Sequence, residues 1–464
     1  MPNQQTKIPV QNISVAQPEI LENESIHRVF WRYAIPSIAA MLVNGLYQII
    51  DGIFVGYFVG FTGLAAINMT MPIIGVIIGL GIMIGMGGGS LMSISRGEGN
   101  RQKAAAMLGN SLWVIILLSI LCLLVIEYLA LSLLNLQGAK QATLSLSLDY
   151  INIFKWGAIS AITAAAVPIL IRNDNRPNLA TGLMILGAVI NILLDYIFIG
   201  QYEMALKGAA IATILSQSLV AIIGIGYFLS SSSHIKLSLR SLTLEIRLAL
   251  KIIVLGSSSL FMFLYFSLII AVHNRLFMTY GSAIEVGAFA IVGYIATLYY
   301  VSSEGIANGM QPPVSFYFGA KQTIKIKKTL LLALKLVIYL GIVVVIILNL
   351  FPDLFISLFN NGDIALAKAT IRGLRLHLFA LFLDGFLFVA SVYFMSVNQG
   401  AKALSISIAN IIIQLPFLYL LPKWWGINGI WLSLPLSNVV LSFIVAPILW
   451  KEMKKLHHKE PIAL

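Results

Sequence analysis

Hydrophobic positions along this chain fall in long blocks, with polar residues gathered in the short connections between them. Apolar stretches of about 20 residues or more, enough to cross a bilayer as helix, lie near 33–59, 64–93, 105–131, 148–171, 178–200, 207–230, 250–276, 286–316, 329–352, 370–396, 403–422 and 428–450. The pattern predicts an all-α polytopic membrane protein with 12 transmembrane helices. Backbone groups in lipid must be satisfied within the segment, so helices are the natural reading of such blocks.

The two halves echo each other. Gly97 closes the second block and Gly319 the eighth, 222 positions later. Lys207-Gly208-Ala209-Ala210-Ile211 opens the sixth, and Asn428-Gly429-Ile430-Trp431 opens the twelfth, offset 221. Asn175-Arg176-Pro177 before the fifth matches Asn398-Gln399-Gly400 before the eleventh. Six spans separate each pair, so both halves keep one topology and form two pseudo-symmetric six-helix lobes related along the membrane normal. The expected division is a tail at 1–27, a first lobe at 28–232, a basic linker at 233–251, a second lobe at 252–450 and a tail at 451–464. Proteins built this way bind substrate between lobes and rock about that site.

Composition removes the soluble alternatives. Of 464 residues, 59% are hydrophobic and 10% charged, against about 25% charged in a soluble domain. The formal charge of +12 would suggest nucleic acid on a soluble chain. Here 21 of the 30 Lys and Arg residues fall in the tails and even-numbered connections and seven in the odd-numbered ones. That bias places both termini in the cytoplasm of a multi-pass inner (plasma) membrane protein, with lipid and no nucleic acid as partner. The sole cysteine, Cys122, sits in an apolar block, so no internal disulfide forms. Residues 1–25 lack the apolar core of a signal peptide, and Asn12-Ile13-Ser14 is a bare sequon.

Polar side chains inside a span cost several kcal/mol and usually face a cavity. On the first span Asn44, Tyr47, Gln48 and Asp51 follow i, i+3, i+4, i+7 and share one face. Pro36, fifteen residues before Asp51, removes a backbone donor and permits a kink. Asn191 and Asp195 share a face of the fifth span; Thr213, Ser216 and Gln217 share one on the sixth. Two buried acids in one site resist being charged together, so the pair could take up a proton. With amide and hydroxyl oxygens it could instead hold a sodium ion. The alternative is a hydrogen-bond network gluing helices; it would be expected to recur, yet the 222-residue shift carries Asp51 to His273, Asn191 to Ile413 and Asp195 to Phe417.

The second half has its own set: Tyr300, Glu304, Asn308 and Gln311 on one face of the eighth span, Asp384 on the tenth, and His273 on the seventh. His377 falls near Arg372 and Arg375, at an interface. Asn44, Tyr47, Gln48, Met184, Gln217, Tyr300, Glu304, Asn308, Gln311 and Asp384 are the candidates for the lining of a central cavity. Gly85-Met86-Gly87-Gly88-Gly89-Ser90 lies in an apolar span and reads as close helix packing rather than a phosphate loop. No Walker motif, catalytic pattern or metal-ligand cluster is visible, which points away from an enzyme and from a bound cofactor, and towards transport driven by an ion gradient.

These residues resemble the multidrug and toxic compound extrusion (MATE) family over about 28–450. The resemblance rests on Pro36 followed by Asp51-Gly52-Ile53-Phe54-Val55-Gly56, on Asn191-x-x-x-Asp195, on Gly208-Ala209-Ala210-Ile211-Ala212-Thr213, and on Gln311-Pro312 with Gly319-Ala320-Lys321. It is closest to the DinF-like and MepA-like branch. It implies a monomeric multidrug antiporter that exports amphipathic, mostly cationic compounds in exchange for H+ or Na+. It implies that Asp51, Asn191, Asp195 and Thr213 carry the cation, and that Pro36 lets the first helix bend when they do. The pattern departs from a second branch, which pairs a seventh-span glutamate with a tenth-span aspartate: only Asp384 is present. In the fourth span Thr163, Ala165 and Pro168 stand where some relatives place asparagines. A lipid-linked saccharide flippase of related fold is the alternative; it calls for central Lys or Arg residues, which are scarce.

Overall fold

The computed structural model describes residues 24–137, 141–357 and 363–457. Most of the expected tails, with the sequon, lies outside them, as does the Gln48 side chain. Among the described residues eleven helices are long and apolar enough to span a membrane, and Ile364–His377 with Leu381–Ser396, bent by 48°, makes a twelfth. We number the spans α1 (Ile26–Phe58), α2 (Phe61–Gly97), α3 (Arg101–Leu136), α4 (Gln141–Phe154 and Ala158–Asn173), α5 (Pro177–Asp195), α6 (Ala205–Leu229), α7 (Ile246–Tyr280), α8 (Ala283–Gly319), α9 (Thr323–Leu350), α10 (the bent pair), α11 (Gly400–Trp425) and α12 (Ile427–His457).

Local chemistry sets the ends. Asn100 accepts from the Lys103 amide at 2.8 Å to start α3, and Asp363 accepts from Ala365 and Leu366 to start α10. Such caps satisfy amides that have no partner in the first turn. Ser282 and Glu285 cap α8 reciprocally. Helices outrun the apolar blocks: α7 begins at Ile246, inside the expected linker, and α12 runs to His457, into the expected tail. Polar turns extend a helix past the apolar stretch, so hydropathy alone sets these boundaries short.

The repeat is written into the backbone. Left-handed residues recur at offsets of 222 and 223: Gly99 (φ 72°) with Lys321 (57°), Asn175 (65°) with Asn398 (58°), and Glu203 (52°) with Gly426 (55°). The halves meet through α1 with α8, α2 with α7 and α2 with α8. Side chains are absent where they press closest. A Cβ on Gly97 would strike Phe316 O, and one on Gly319 would strike Ile94 O. Gly87 and Gly256 approach each other likewise, and the repeat-related contact is Gly309 on Ala34. Small residues let backbones close without cavities, the packing lipid-embedded helices depend on. These approaches crowd the end of the bundle that carries both termini; towards the other end Tyr57 and Tyr294 are largely exposed.

The linker is pinned to the first half. Trp113 donates to Leu242 O at 2.6 Å, and Asn110 accepts from the Glu245 amide at 2.8 Å. Asp174 accepts from Tyr227 and from the His234 and Ile235 amides.

Candidate functional site

Four helices of the first half build the site. Asp51 comes from the polar face of α1, Asn191 and Asp195 from the last turn of α5, Thr213 from α6. Asn191 is 3% exposed and Asp195 fully buried, although α5 is an apolar helix. The Asp51 and Asp195 side chains are neighbours. Among the described residues no donor reaches Asp51 Oδ1, Asn191 Oδ1 or either Asp195 oxygen. Buried polar atoms are almost always partnered, and an unpartnered buried carboxylate costs several kcal/mol. A cluster of orphaned oxygens therefore calls for something from outside the chain. A proton shared by the carboxyls would serve. So would Na+, a hard cation that takes oxygen ligands, held by Asp51, Asn191 and Asp195.

The backbone after Asp195 widens into an i→i+5 turn over Tyr196–Gln201, with Tyr202 N bonded to Ile197 O at 2.9 Å. Such turns inside helices gather at functional sites. Thr213 Oγ1 donates to Ala209 O at 2.9 Å, and Tyr150 is its neighbour. Tyr150, on α4 and 3% exposed, stands close enough to Asp51, Asp195 and Tyr47 to feel their charge. Sequence reasoning missed it: a lone tyrosine in an apolar span has no periodic partner to mark it. Gln217, one turn beyond Thr213, is half-buried with Oε1 unpartnered.

Asn44 and Tyr47 are half-buried on the same face of α1, and Met184 is half-buried on α5. Helix α1 is continuous through Pro36, and Thr181 of α5 donates to Pro36 O at 2.8 Å. The helix that carries the acid pair's second member is thus tied to α1 beside its weakest point.

The second-half candidates do not form one cavity wall. Tyr300 donates to Asp384 Oδ2 at 3.2 Å, and Asn438 Nδ2 donates to Asp384 Oδ1; Asp384 is locally paired. Glu304 and Asn308 lie together, with Arg172 of α4 as the opposing charge. Gln311 is fully buried in the seam between the halves rather than lining a cavity, because the backbones there close on glycines. His377, expected at an interface, is 7% exposed and packs edge-on to His273 at 5.6 Å between centroids; the bend of α10 carries it inward.

A membrane-embedded bundle of twelve helices with buried acids inside it is the build of a membrane transporter. The MatE family model matches residues 36–197 and again 258–420, the second copy starting 222 positions after the first. The matches cover more than half the chain: it belongs to the MatE family, whose members are transporters and not enzymes. The chain is 24% identical over 438 residues to multidrug export protein MepA of Staphylococcus saprophyticus, covering 92% of this chain and 94% of that one. It is 21% identical to MepA of Staphylococcus aureus strain N315, with 92% and 94% covered. Among solved structures, the outward-facing conformation of a multidrug resistance MATE family transporter matches with TM-score 0.88 and 24% identity, covering 95% of this chain and 98% of that one. A MOP superfamily transporter from Pyrococcus furiosus matches equally, with TM-score 0.88 and 24% identity over 94% and 98% of the chains.

Proposed function

We propose that this transporter exports amphipathic, mostly cationic organic compounds in exchange for protons or sodium ions. The observation that carries the reading is the neighbouring Asp51 and Asp195: Asp195 is fully buried with both oxygens unpartnered, and Asp51 is half-buried with Oδ1 unpartnered, among the described residues. MepA relatives are named multidrug export proteins, which gives the substrate class its support. The reading places the protein in the plasma membrane, acting as a monomer, with both termini in the cytoplasm; the bias of Lys and Arg supports that orientation.

In the cycle, cation uptake by Asp51, Asn191 and Asp195 removes the repulsion between the carboxyls. Helix α1 then shifts about Pro36, where no amide donor resists bending. The drug site between the lobes weakens and substrate leaves outward. The lobes rock, the cation leaves to the cytoplasm and drug binds again. The ion drives this only because its affinity differs between the two states. A membrane potential adds about 2.3 kcal/mol per charge per 100 mV.

The test is efflux of a fluorescent organic cation from vesicles under an imposed pH or sodium gradient. Asp51→Asn should lose gradient-driven efflux while still binding the dye. Efflux by the variant at the wild-type rate would end the proposed role of Asp51.

A further inference from the structure

The seam between the halves carries a side-chain network that the transport reading does not use. Asn173 at the end of α4 and Gln311 of α8 bond amide to amide, in both directions, at 3.0 Å. Gln311 Nε2 also reaches Ser90 Oγ at 2.9 Å and Ser315 Oγ at 3.1 Å. On the first-half side, Ser93 donates to Asn173 Oδ1 at 2.7 Å, and Arg96 Nη1 donates to Asn173 O. The Arg96 guanidinium lies 5.9 Å from the centre of the Phe316 ring, across the seam. Asn173, Gln311, Ser90 and Ser315 are all fully buried.

The arrangement is one-sided, although the backbone around it repeats. The first-half counterpart of Gln311 is Gly89, and a Cβ there would collide with Asn173 Nδ2. Gly89 thus leaves room for the amide that Gln311 grips. That gives the glycine run at 85–89 a purpose beyond close packing. Next to Asn173, Arg172 is 1% exposed, with Nε and Nη2 unpartnered, and feels the charge of Glu304 on the other half.

We infer that Asn173 and Gln311 form a latch that holds the terminus-bearing end of the transporter shut. They are positioning residues: they touch neither the acid pair nor its ion. The latch joins α2 and α4 of the first half to α8 of the second, across the seam the two halves must open in order to rock. Net, each hydrogen bond contributes about 1 kcal/mol. Several together, on side chains buried from solvent, bias the closed form without locking it. Breaking them exposes amides to water, which satisfies them again, so the latch reopens at modest cost. The inference rests on the alternating-access reading above.

The test reads the seam directly, without drug or ion. In full-length protein with Cys122→Ser and Ser315→Cys, a membrane-impermeant maleimide is applied from the side of the termini. With the latch intact, labelling of position 315 is slow. Gln311→Ala should speed it at least fivefold, and Asn173→Ala likewise. The exchanged pair Asn173→Gln with Gln311→Asn keeps the amide contact and should return labelling to within about twofold of the parent, while either exchange alone stays fast. In vesicles, the alanine variants should change turnover more than apparent drug affinity. Unchanged labelling in both alanine variants would overturn the latch, as would failure of the exchanged pair to rescue when it folds with the parent's melting temperature. Should the parent move no drug while the labelling pattern holds, the drug reading fails and the latch stands.

Discussion

Asp51 and His273 occupy the same place in the two halves and do opposite things. Around Asp51, helices α1, α4, α5 and α6 bring together oxygens that no donor satisfies. Around His273, helices α7, α8, α10 and α12 build an aromatic nest. His273 stacks on Phe289 at 5.0 Å, Phe277 lies 4.4 Å from Trp431, and His377 Nδ1 bonds to Trp431 O at 3.0 Å. Fully buried Phe277 and Trp431 fill the volume, and rings packed this way stabilise by apolar area and edge-to-face contact. The comparison teaches that duplication preserved the frame, in the left-handed turns and glycine seams, while the chemistry was free to diverge. Around Asp51 the unpartnered groups are carboxylates and an amide; around His273 they are ring nitrogens, His273 Nε2 and Trp431 Nε1, set among packed rings.

The sharpest way to break this contrast is at Asp195. Asp195→Asn keeps the volume and removes the charge pair, so gradient-driven efflux should fall more than tenfold. Dye binding and melting temperature should hold, or stability should rise as a buried charge is lost. Next in size is the seam. Gly97→Val or Gly319→Val forces a side chain onto the opposite backbone, and overpacking of this kind costs about 1–3 kcal/mol; melting in detergent should drop for both, since the two glycines make repeat-related contacts. Smaller again is Tyr150→Phe. It deletes a buried hydroxyl beside Thr213 and the acid pair, about 1 kcal/mol if it is hydrogen-bonded there, and should lower coupled efflux about fivefold with little change in stability. Smallest on transport is His273→Phe, which should leave the ion dependence within twofold of wild type and register in melting temperature instead.

Much of the frame was legible before any coordinates. Long apolar blocks have few structural solutions in lipid, so the spans and the 222-residue repeat followed from patterning. So did the pairing of Asn191 with Asp195, because i, i+4 spacing on a helix fixes a common face. What escaped notice depends on contacts between elements distant in sequence. Tyr150 joins the site only because α4 packs on α6. Gln311 shared a face with Tyr300 and Glu304, and nothing in that spacing says that α8 turns part of the face into a closed seam. The bend in α10 contains no proline, and the widened turn after Asp195 has no residue signature; both depend on tertiary packing.

The central claim is that the acid pair of the first half exchanges an inorganic cation for drug. It is tested most directly by adding a lipophilic organic cation to vesicles loaded with the purified transporter and recording proton and sodium flux with indicators. The account predicts that drug triggers a counterflux of one of these ions, and that Asp51→Asn with Asp195→Asn abolishes it. Drug movement with neither ion moving, or undiminished ion flux in the double variant, would contradict it.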